Sequence, residues 1–205
     1  MRELPETWLA AMPDVVARLE GARPARVADV GCGQGFASVA VARAFPGARV
    51  DGFDADPDSI ADARAHARQA GVEGQVRFVE ADAAEVADHG RYDLVLILEA
   101  LHDMADPAGA LNAARAATAA GGAVLLVDER VADAFEAPGD VVERTMYGWS
   151  VTHCLPAAMA EEPSAAIGTV MRAATVVALA EEAGFQRVEV LDVANDFFRL
   201  YRLHP

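Results

Sequence analysis

Short apolar segments alternate with helix-like segments through most of this 205-residue chain. Strands that are buried on both faces read as apolar runs, and their alternation with helices is typical of a mainly parallel sheet covered by helices. The predicted strands are Arg26–Val30, Arg49–Phe53, Val76–Glu80, Leu94–Leu98 and Ala123–Asp128. The predicted helices are Glu6–Glu20, Phe36–Phe45, Pro57–Ala70 and Pro107–Ala119. The alternation therefore predicts a doubly wound α/β architecture.

The end of the chain departs from this alternation. A further helix is predicted at Thr169–Ala183, followed by two strands at Arg187–Val193 and Phe197–Leu203. Only the three residues "AND" separate these strands, too few for a parallel crossover, so the strands must form an antiparallel hairpin. The sequence thus predicts a Rossmann-like, doubly wound seven-stranded sheet that is mostly parallel and ends in an antiparallel hairpin.

Residues 131–168 interrupt the rhythm of strands and helices. We expect one domain over residues 1–205, in which this segment is an insertion that contacts the substrate. Aromatic faces in "MYGWS" are suited to a flat molecule, although packing on the core is the alternative. For His153, beside the lone Cys154, packing is the favoured reading. The candidate substrate-lining residues are Met146, Tyr147, Trp149 and His153.

Charge and composition exclude several functions. The net charge of −15 and the absence of a basic block disfavour a nucleic-acid partner. The sequence contains no lysine, which excludes a Walker A loop, Schiff-base chemistry and a Tyr-Lys dehydrogenase pair. With only Cys32 and Cys154, we expect neither a disulfide nor a metal site. Without a signal peptide or a membrane-spanning apolar run, we expect a cytoplasmic protein that does not contact membranes.

A glycine-rich loop, "VADVGCGQG" (Val27–Gly35), follows the first predicted strand. Ligands of open α/β sheets bind at such strand ends, and glycines allow a backbone to approach a ligand closely. The G-x-G-x-G spacing is one residue tighter than the dinucleotide fingerprint G-x-G-x-x-G. A purely structural tight turn is the alternative reading of these glycines.

Three acidic residues follow the next three predicted strands. Asp54 ends the second strand, where its carboxylate can accept hydrogen bonds from both hydroxyls of a ribose. Asp82 follows the third strand, where a carboxylate can accept from the amino group of adenine, and Glu99 follows the fourth. Since the carboxyl ends of parallel strands meet at one edge, these acids converge on one crevice. Helix capping is the alternative role for each acid.

A ligand with ribose, adenine and a cationic amino-acid tail, but no phosphate, would use these acids without an Arg or Lys clamp. S-adenosylmethionine is such a ligand. Residues from Arg26 to Leu203 resemble class I S-adenosylmethionine-dependent methyltransferases. Within them, "LHDMADP", "GTVMR", "EEAGF" and "FFRLYRL" resemble bacterial small-molecule methyltransferases, which commonly carry an N-terminal winged-helix domain for dimerisation. We expect a longer form to build a homodimer through such a domain.

The resemblance implies S-adenosylmethionine as cofactor and a set of residues that bind it. Asp54 would bind ribose, Asp82 and the Ala83 backbone adenine, and the Leu98 carbonyl the methionine amino group. No metal is implied. The full cofactor set is Asp29, Gly31, Cys32, Gly33, Gly35, Asp54, Ala55, Asp82, Ala83, Leu98 and Glu99.

His102 is the candidate general base, since methyl transfer to a hydroxyl requires removal of a proton. "HDM" resembles the "HDW" of plant phenolic O-methyltransferases, and Glu129 lies where those enzymes place the carboxylate that orients the histidine. Met104 in place of Trp leaves a structural or pocket-lining role open. We predict methyl transfer to a small-molecule hydroxyl. A non-catalytic cofactor-binding or scaffold domain and a NAD-binding Rossmann oxidoreductase are the alternatives.

Overall fold

One seven-stranded sheet organises the chain, whose computed structural model describes residues 3–205. Its strands are β1 (Arg26–Val30), β2 (Arg49–Asp54), β3 (Val76–Glu80), β4 (Tyr92–Leu98), β5 (Thr118–Glu129), β6 (Arg187–Val190) and β7 (Phe198–His204). Their order is β3-β2-β1-β4-β5-β7-β6. Strands β1 to β5 are parallel, and β7 runs antiparallel to both β5 and β6. The predicted fold is confirmed.

Helices connect the strands and begin where the sequence signals them. They are α1 (Pro13–Leu19), α2 (Phe36–Ala44), α3 (Pro57–Ala70), α4 (Pro107–Ala117), α5 (Val141–Trp149), α6 (Leu155–Ala158) and α7 (Ala173–Glu182). Proline occupies the first position of α3 and α4, where no backbone hydrogen bond is lost. The preceding residues, Asp56 and Asp106, cap these helices through their side chains.

The single N-terminal helix predicted at Glu6–Glu20 is wrong. A π-helical turn at Leu4–Trp8 and a 3₁₀ turn at Leu9–Ala11 come first, and α1 starts only at Pro13. Met12 breaks the helix with φ −123° and ψ 71°. The residue before a proline is disfavoured in the α region because the proline ring clashes with its backbone, so the break follows from Pro13.

Several later boundaries also differ from prediction: strand β5 begins at Thr118 rather than Ala123, for example. Helix α7 starts at Ala173 rather than Thr169, because the preceding segment packs on the turn after β4, where the Gly168 N–H donates to the His102 carbonyl. Strand β6 ends at Val190, so the link to β7 is longer than three residues, yet the pairing remains antiparallel.

Both faces of the sheet are buried, because alternate residues of each central strand face opposite sides. In β4, Leu94 and Leu96 belong to the cluster beneath α1, α2 and α3, whereas Val95 and Ile97 belong to the cluster beneath α4 and α7. This double cover explains why the central strands read as continuous apolar runs. Among the described residues, no helix is both long enough and apolar enough to cross a membrane.

Candidate active site

The glycine loop after β1 adopts a backbone that favours glycine at three positions. Gly31, Gly33 and Gly35 have φ values of 68°, 49° and 76°. A Cβ at Gly31 would lie 2.6 Å from the Ala100 Cβ, and one at Gly35 would lie 2.6 Å from the Phe78 ring. At Gly33 a Cβ would meet no atom within 4 Å. Packing therefore demands glycine at two positions, while Gly33 borders open space that a ligand can occupy.

Asp54, at the end of β2, holds this loop in place. Its Oδ2 accepts a hydrogen bond from the Gly33 N–H at 2.7 Å, and its Oδ1 accepts from the Asp56 N–H at 3.0 Å. Each carboxylate oxygen has a second lone pair, so Asp54 can still accept from a ligand's hydroxyl groups. The predicted ribose-binding acid thus also shapes the loop beside it.

Asp29 and Cys32 lie beneath the loop rather than on its surface. Asp29 is buried and accepts a hydrogen bond from the Ser38 hydroxyl of α2 at 2.6 Å. Burial raises the pKa of Asp29 to about 6, although the Ser38 hydrogen bond opposes that shift. Burial likewise raises the pKa of the Cys32 thiol far above its usual value. The contacts of Asp29 join β1 to α2 and so support the loop from below.

The adenine-side residues lie at the end of β3. The Oδ1 of Asp82 accepts from the Ala84 N–H at 2.7 Å and caps the 3₁₀ turn Ala83–His89. The capping role left open from the sequence is therefore present, and one oxygen of the exposed carboxylate stays available for a ligand. Ala55 is exposed after β2, and Leu98 is the last residue of β4. The predicted cofactor residues share one edge of the sheet, but their roles remain a prediction.

His102 lies in a 3₁₀ turn after β4 and is buried, with 2% of its surface exposed. Its Nδ1 lies 3.0 Å and 3.1 Å from the two carboxylate oxygens of Asp128 and 3.4 Å from the Glu129 Oε2. Its Nε2 lies 3.5 Å from the Asp103 Oδ1. The Nδ1 proton is thus directed between the Asp128 oxygens, which fixes the ring orientation. Whether His102 acts as the base remains a prediction.

The acids around His102 change its titration. Burial alone would lower the pKa of His102, but the Asp128 hydrogen bond and the charges of Asp128, Glu129 and Asp103 raise it to about 10. Burial, together with neighbouring carboxylates, raises the pKa of Glu99 to about 8 and that of Glu129 to about 10. These shifts favour a protonated imidazole and neutral glutamates at neutral pH.

Two neighbours of His102, Asp128 and Cys154, were not predicted from the sequence. Asp128 is fully buried and contacts Nδ1 more closely than Glu129 does. A buried acid at the end of an apolar strand was the available signal. Cys154 of the insertion, for which packing was favoured, brings its Sγ within 4.8 Å of ligand atoms of His102 and Asp103. That contact depends on the path of the insertion, which no local pattern reveals. The expected absence of a metal stays a prediction.

The insertion places the predicted substrate-lining residues in different surroundings. Met146 is buried, whereas Tyr147, Trp149 and His153 are exposed. The Tyr147 hydroxyl accepts from Arg172, just before α7, at 3.1 Å, and Arg172 also donates to the buried Glu143 at 2.6 Å. Arg172 thus fastens α5 to the body of the fold. Contact between these residues and a substrate stays a prediction.

The sheet order, the antiparallel C-terminal strands and a glycine loop after β1 define a Rossmann-like α/β protein. In open α/β sheets of this kind, ligands bind at the carboxyl ends of the strands. Residues 23–184 match a family described as a methyltransferase domain. The chain therefore belongs to that methyltransferase domain family.

Relatives with similar sequence cover part of the chain. Ubiquinone biosynthesis O-methyltransferases from Xanthomonas axonopodis pv. citri and Bordetella avium are 40% and 38% identical over 114 and 97 residues. The alignments cover 55% and 47% of this chain, and 46% and 39% of those relatives. The matched part thus spans less than half the length of each relative.

Solved structures share the fold over nearly the whole chain. An O-methyltransferase family protein from Burkholderia thailandensis has a TM-score of 0.70 at 18% identity, covering 99% of this chain and 59% of that one. An O-methyltransferase from neocarzinostatin biosynthesis, in complex with S-adenosyl-L-homocysteine and 1,4-dihydroxy-2-naphthoic acid, has a TM-score of 0.67 at 19% identity. That match covers 98% of this chain and 54% of the other.

Proposed function

We propose that this protein transfers a methyl group from S-adenosylmethionine to a hydroxyl group of a small molecule. The observation that carries the proposal is the open space at Gly33 beside Asp54. It lies at the edge formed by the carboxyl ends of the strands, in a fold of the methyltransferase domain family. The names of the relatives, and the S-adenosyl-L-homocysteine bound to one structural neighbour, support the reaction and the cofactor.

The hydrogen-bonding groups at this edge match the parts of the cofactor. Asp54 can accept from the ribose hydroxyls, and Asp82 with the Ala83 backbone can bind adenine. The Leu98 carbonyl, at the end of β4, can accept from the methionine ammonium. The ligand has no phosphate, which suits a crevice built from acids and glycines rather than basic side chains. S-adenosylmethionine when bound supplies the electrophilic methyl group.

Methyl transfer depends first on positioning the acceptor in line with the sulfonium. His102 is the residue that we assign to removal of the acceptor's proton, with Asp128 and Glu129 holding its ring. Because its raised pKa favours the protonated form, His102 must lose that proton before it can act as the base. A positive charge brought beside the ring would lower its pKa and produce the neutral base.

The direct test of cofactor binding is calorimetry with S-adenosylmethionine and S-adenosylhomocysteine. Asp54→Ala should weaken binding by about 1.5–3 kcal/mol, because hydrogen bonds to a charged group are lost. Asp58→Asn is the control, since Asp58 is exposed in the first turn of α3. Unchanged affinity in Asp54→Ala would refute the ribose assignment.

Two other functions give different results in the same assays. A NAD-binding oxidoreductase would bind NAD in calorimetry, and a scaffold domain would bind S-adenosylmethionine without releasing a methylated product detectable by mass. The acidic composition supports a small-molecule acceptor over nucleic acid. We also propose a cytoplasmic location, which cell fractionation can test. A longer form that carries an N-terminal winged-helix domain should form a homodimer, which light scattering can test.

A further inference from the structure

The insertion, residues 131–168, covers the turn that carries His102. Its last residue, Gly168, donates a backbone hydrogen bond to the His102 carbonyl at 3.2 Å, and Ala165 donates one to the Ala105 carbonyl at 2.9 Å. The Cys154 thiol lies within 4.8 Å of a His102 ring nitrogen. These contacts join the insertion to the turn after β4, where His102 is only 2% exposed.

This cover matters because of the position that an acceptor must take. If His102 removes its proton, the hydroxyl must come within about 3 Å of a ring nitrogen or contact it through one water. Nδ1 faces the Asp128 carboxylate, so the acceptor must approach Nε2. A ring with 2% exposure offers too little surface for such a contact. Part of its cover must therefore move before an acceptor can bind.

One side chain outside the insertion binds it at three places. Arg172, the last residue of the "GTVMR" segment before α7, donates to the Ala132 carbonyl and to the Glu143 Oε1, the latter at 2.6 Å. It also donates to the Tyr147 hydroxyl at 3.1 Å. We call these hydrogen bonds the Arg172 contacts. They join the start of the insertion and helix α5 to the segment that leads into α7.

Helix α5 depends on the Arg172 contacts because it buries little else. Glu143 and Met146 are its buried residues, whereas Val141, Tyr147 and Trp149 are 37–68% exposed. In the described part of the chain, Glu143 forms a salt bridge only with Arg172. Loss of one partner of a buried pair leaves a buried charge uncompensated, which costs far more than loss of an exposed pair. Without Arg172, exposure of Glu143 to water would therefore be favoured.

We propose that Arg172 is a positioning residue, which holds the insertion closed over His102 and sets how often the site opens to an acceptor. This inference rests on the proposed function, in which His102 removes the acceptor's proton. Opening requires only the insertion to detach, and segments with few buried apolar contacts open locally at a lower free energy than the whole fold. Closure after binding would keep water away from the reacting groups.

Alkylation of the two cysteines measures this opening in the intact protein. Cys154 and Cys32 are the only cysteines, and both are buried, the first in the insertion and the second in the glycine loop. After treatment with iodoacetamide, peptide mass spectrometry gives a rate for each thiol. Arg172→Met should raise the Cys154 rate at least about tenfold, because an uncompensated Glu143 favours the open form. The Cys32 rate should stay within about twofold of the parent.

Two further variants separate the Arg172 contacts from a general effect on stability. Arg172→Lys keeps a positive charge for Glu143 and should raise the Cys154 rate by about threefold or less. Asp133→Asn removes the ion pair between Asp133 and Arg199, in which the Asp133 side chain is 83% exposed, and should leave the Cys154 rate unchanged.

Hydrogen exchange gives a second readout that does not depend on cysteine chemistry. The amides of Ala165 and Gly168, which bond to the turn that carries His102, should exchange at least about tenfold faster in Arg172→Met than in the parent. Amides of β4 should keep their rates.

An unchanged Cys154 rate or unchanged exchange at Ala165 and Gly168 in Arg172→Met overturns the proposal. Equal acceleration at Cys154 and Cys32 also overturns it, since Arg172 would then support the whole fold. Neither measurement requires cofactor or acceptor. A failure of this proposal is therefore distinguished from a failure of the proposed function, which calorimetry with S-adenosylmethionine detects.

Discussion

The two ends of the sheet bury acidic side chains in opposite ways. At the amino ends of the strands, Asp51 accepts hydrogen bonds from Arg26, Arg77 and the Tyr92 hydroxyl at 2.7–2.9 Å. Asp93 similarly accepts from Arg18 and Arg23. At the carboxyl ends lie four acids that we call the acid cluster: Glu99, Asp103, Asp128 and Glu129. Among the described residues no Arg pairs with any of them, and His102 carries the only compensating charge.

This difference appears directly in proton affinity. Burial raises the pKa of Asp51 and Asp93, but hydrogen bonds from their Arg partners outweigh it and leave both values lowered. In the acid cluster, burial prevails and the pKa values of Glu99 and Glu129 rise. One end is therefore built for stability, whereas the other keeps unsatisfied groups that a ligand can use.

Replacement of His102 should give the largest effect, a loss of turnover that an equally buried residue at the other end of the sheet should not show. Once an acceptor is known, His102→Ala should lower turnover by about 10²–10⁴-fold, because the base is lost, with cofactor affinity almost unchanged. Tyr92→Phe removes an equally buried polar group from the opposite end and should leave turnover within a few-fold of the parent. Turnover of His102→Ala within a few-fold of the parent would reduce His102 to a pocket-lining residue.

Replacement of a buried carboxyl by its amide should have different effects on stability at the two ends. Asp93→Asn removes a buried charge that its Arg partners compensate, and should lower the free energy of unfolding by about 2–3 kcal/mol. Glu129→Gln replaces a carboxyl whose raised pKa favours the neutral form, and should change the free energy of unfolding by about 0.5 kcal/mol or less at pH 7. Urea denaturation measures both. Equal losses of unfolding free energy in the two variants would contradict the proposed difference between the two ends, since the acid cluster would then also stabilise the fold.

The smallest of the expected effects is a change in how the free energy of unfolding depends on pH. Glu99, Glu129 and His102 have raised pKa values in the folded protein, so the folded state retains protons that the unfolded chain releases. Their contribution is complete at low pH and is lost as pH rises through about 8 to about 10. Denaturation from pH 6 to pH 9 should show this decline, which Glu129→Gln should reduce by about 1 kcal/mol.

At the other end of the sheet, Asp51 and Asp93 give stability the opposite dependence on pH. Their lowered pKa values stabilise the protein above the ordinary carboxyl range, and that contribution is lost only as pH falls below it. The Asp93→Asn variant should therefore keep the alkaline decline and lose part of the acid sensitivity. An alkaline decline of unchanged size in Glu129→Gln would mean that other groups titrate there.

The fold was predictable because its central strands are buried on both faces, and because α3 and α4 each begin at a proline that follows a capping acid. The hairpin was predictable from a short link alone. The break at Met12 had a visible signal in Pro13, but continuous apolar spacing suggested an uninterrupted helix. The start of α7 had no such signal, since it depends on the contact of Gly168 with the turn that holds His102.

The site was only partly predictable. Strand ends placed Asp54, Glu99 and His102 at one edge, because parallel strands all point their carboxyl ends there. The choice between Asp128 and Glu129 as the closer partner of His102 depends on side-chain direction at the end of β5. The approach of Cys154 depends on the course of the whole insertion. Both facts belong to tertiary packing, which residue spacing does not encode.

The three glycines of the loop serve two different purposes: two allow close packing within the protein, and one leaves space for a ligand. Gly31 and Gly35 are fixed by the protein's own atoms, so a methyl group at either would disturb the fold itself. At Gly33 only the backbone conformation favours glycine. Alanine there would cost about 1–2 kcal/mol, and its methyl group would point into the crevice without meeting a protein atom within 4 Å. The role of the loop in folding and its role in ligand binding can therefore be tested separately. The Gly33→Ala variant would give a folded reference protein in which one added methyl group blocks the crevice.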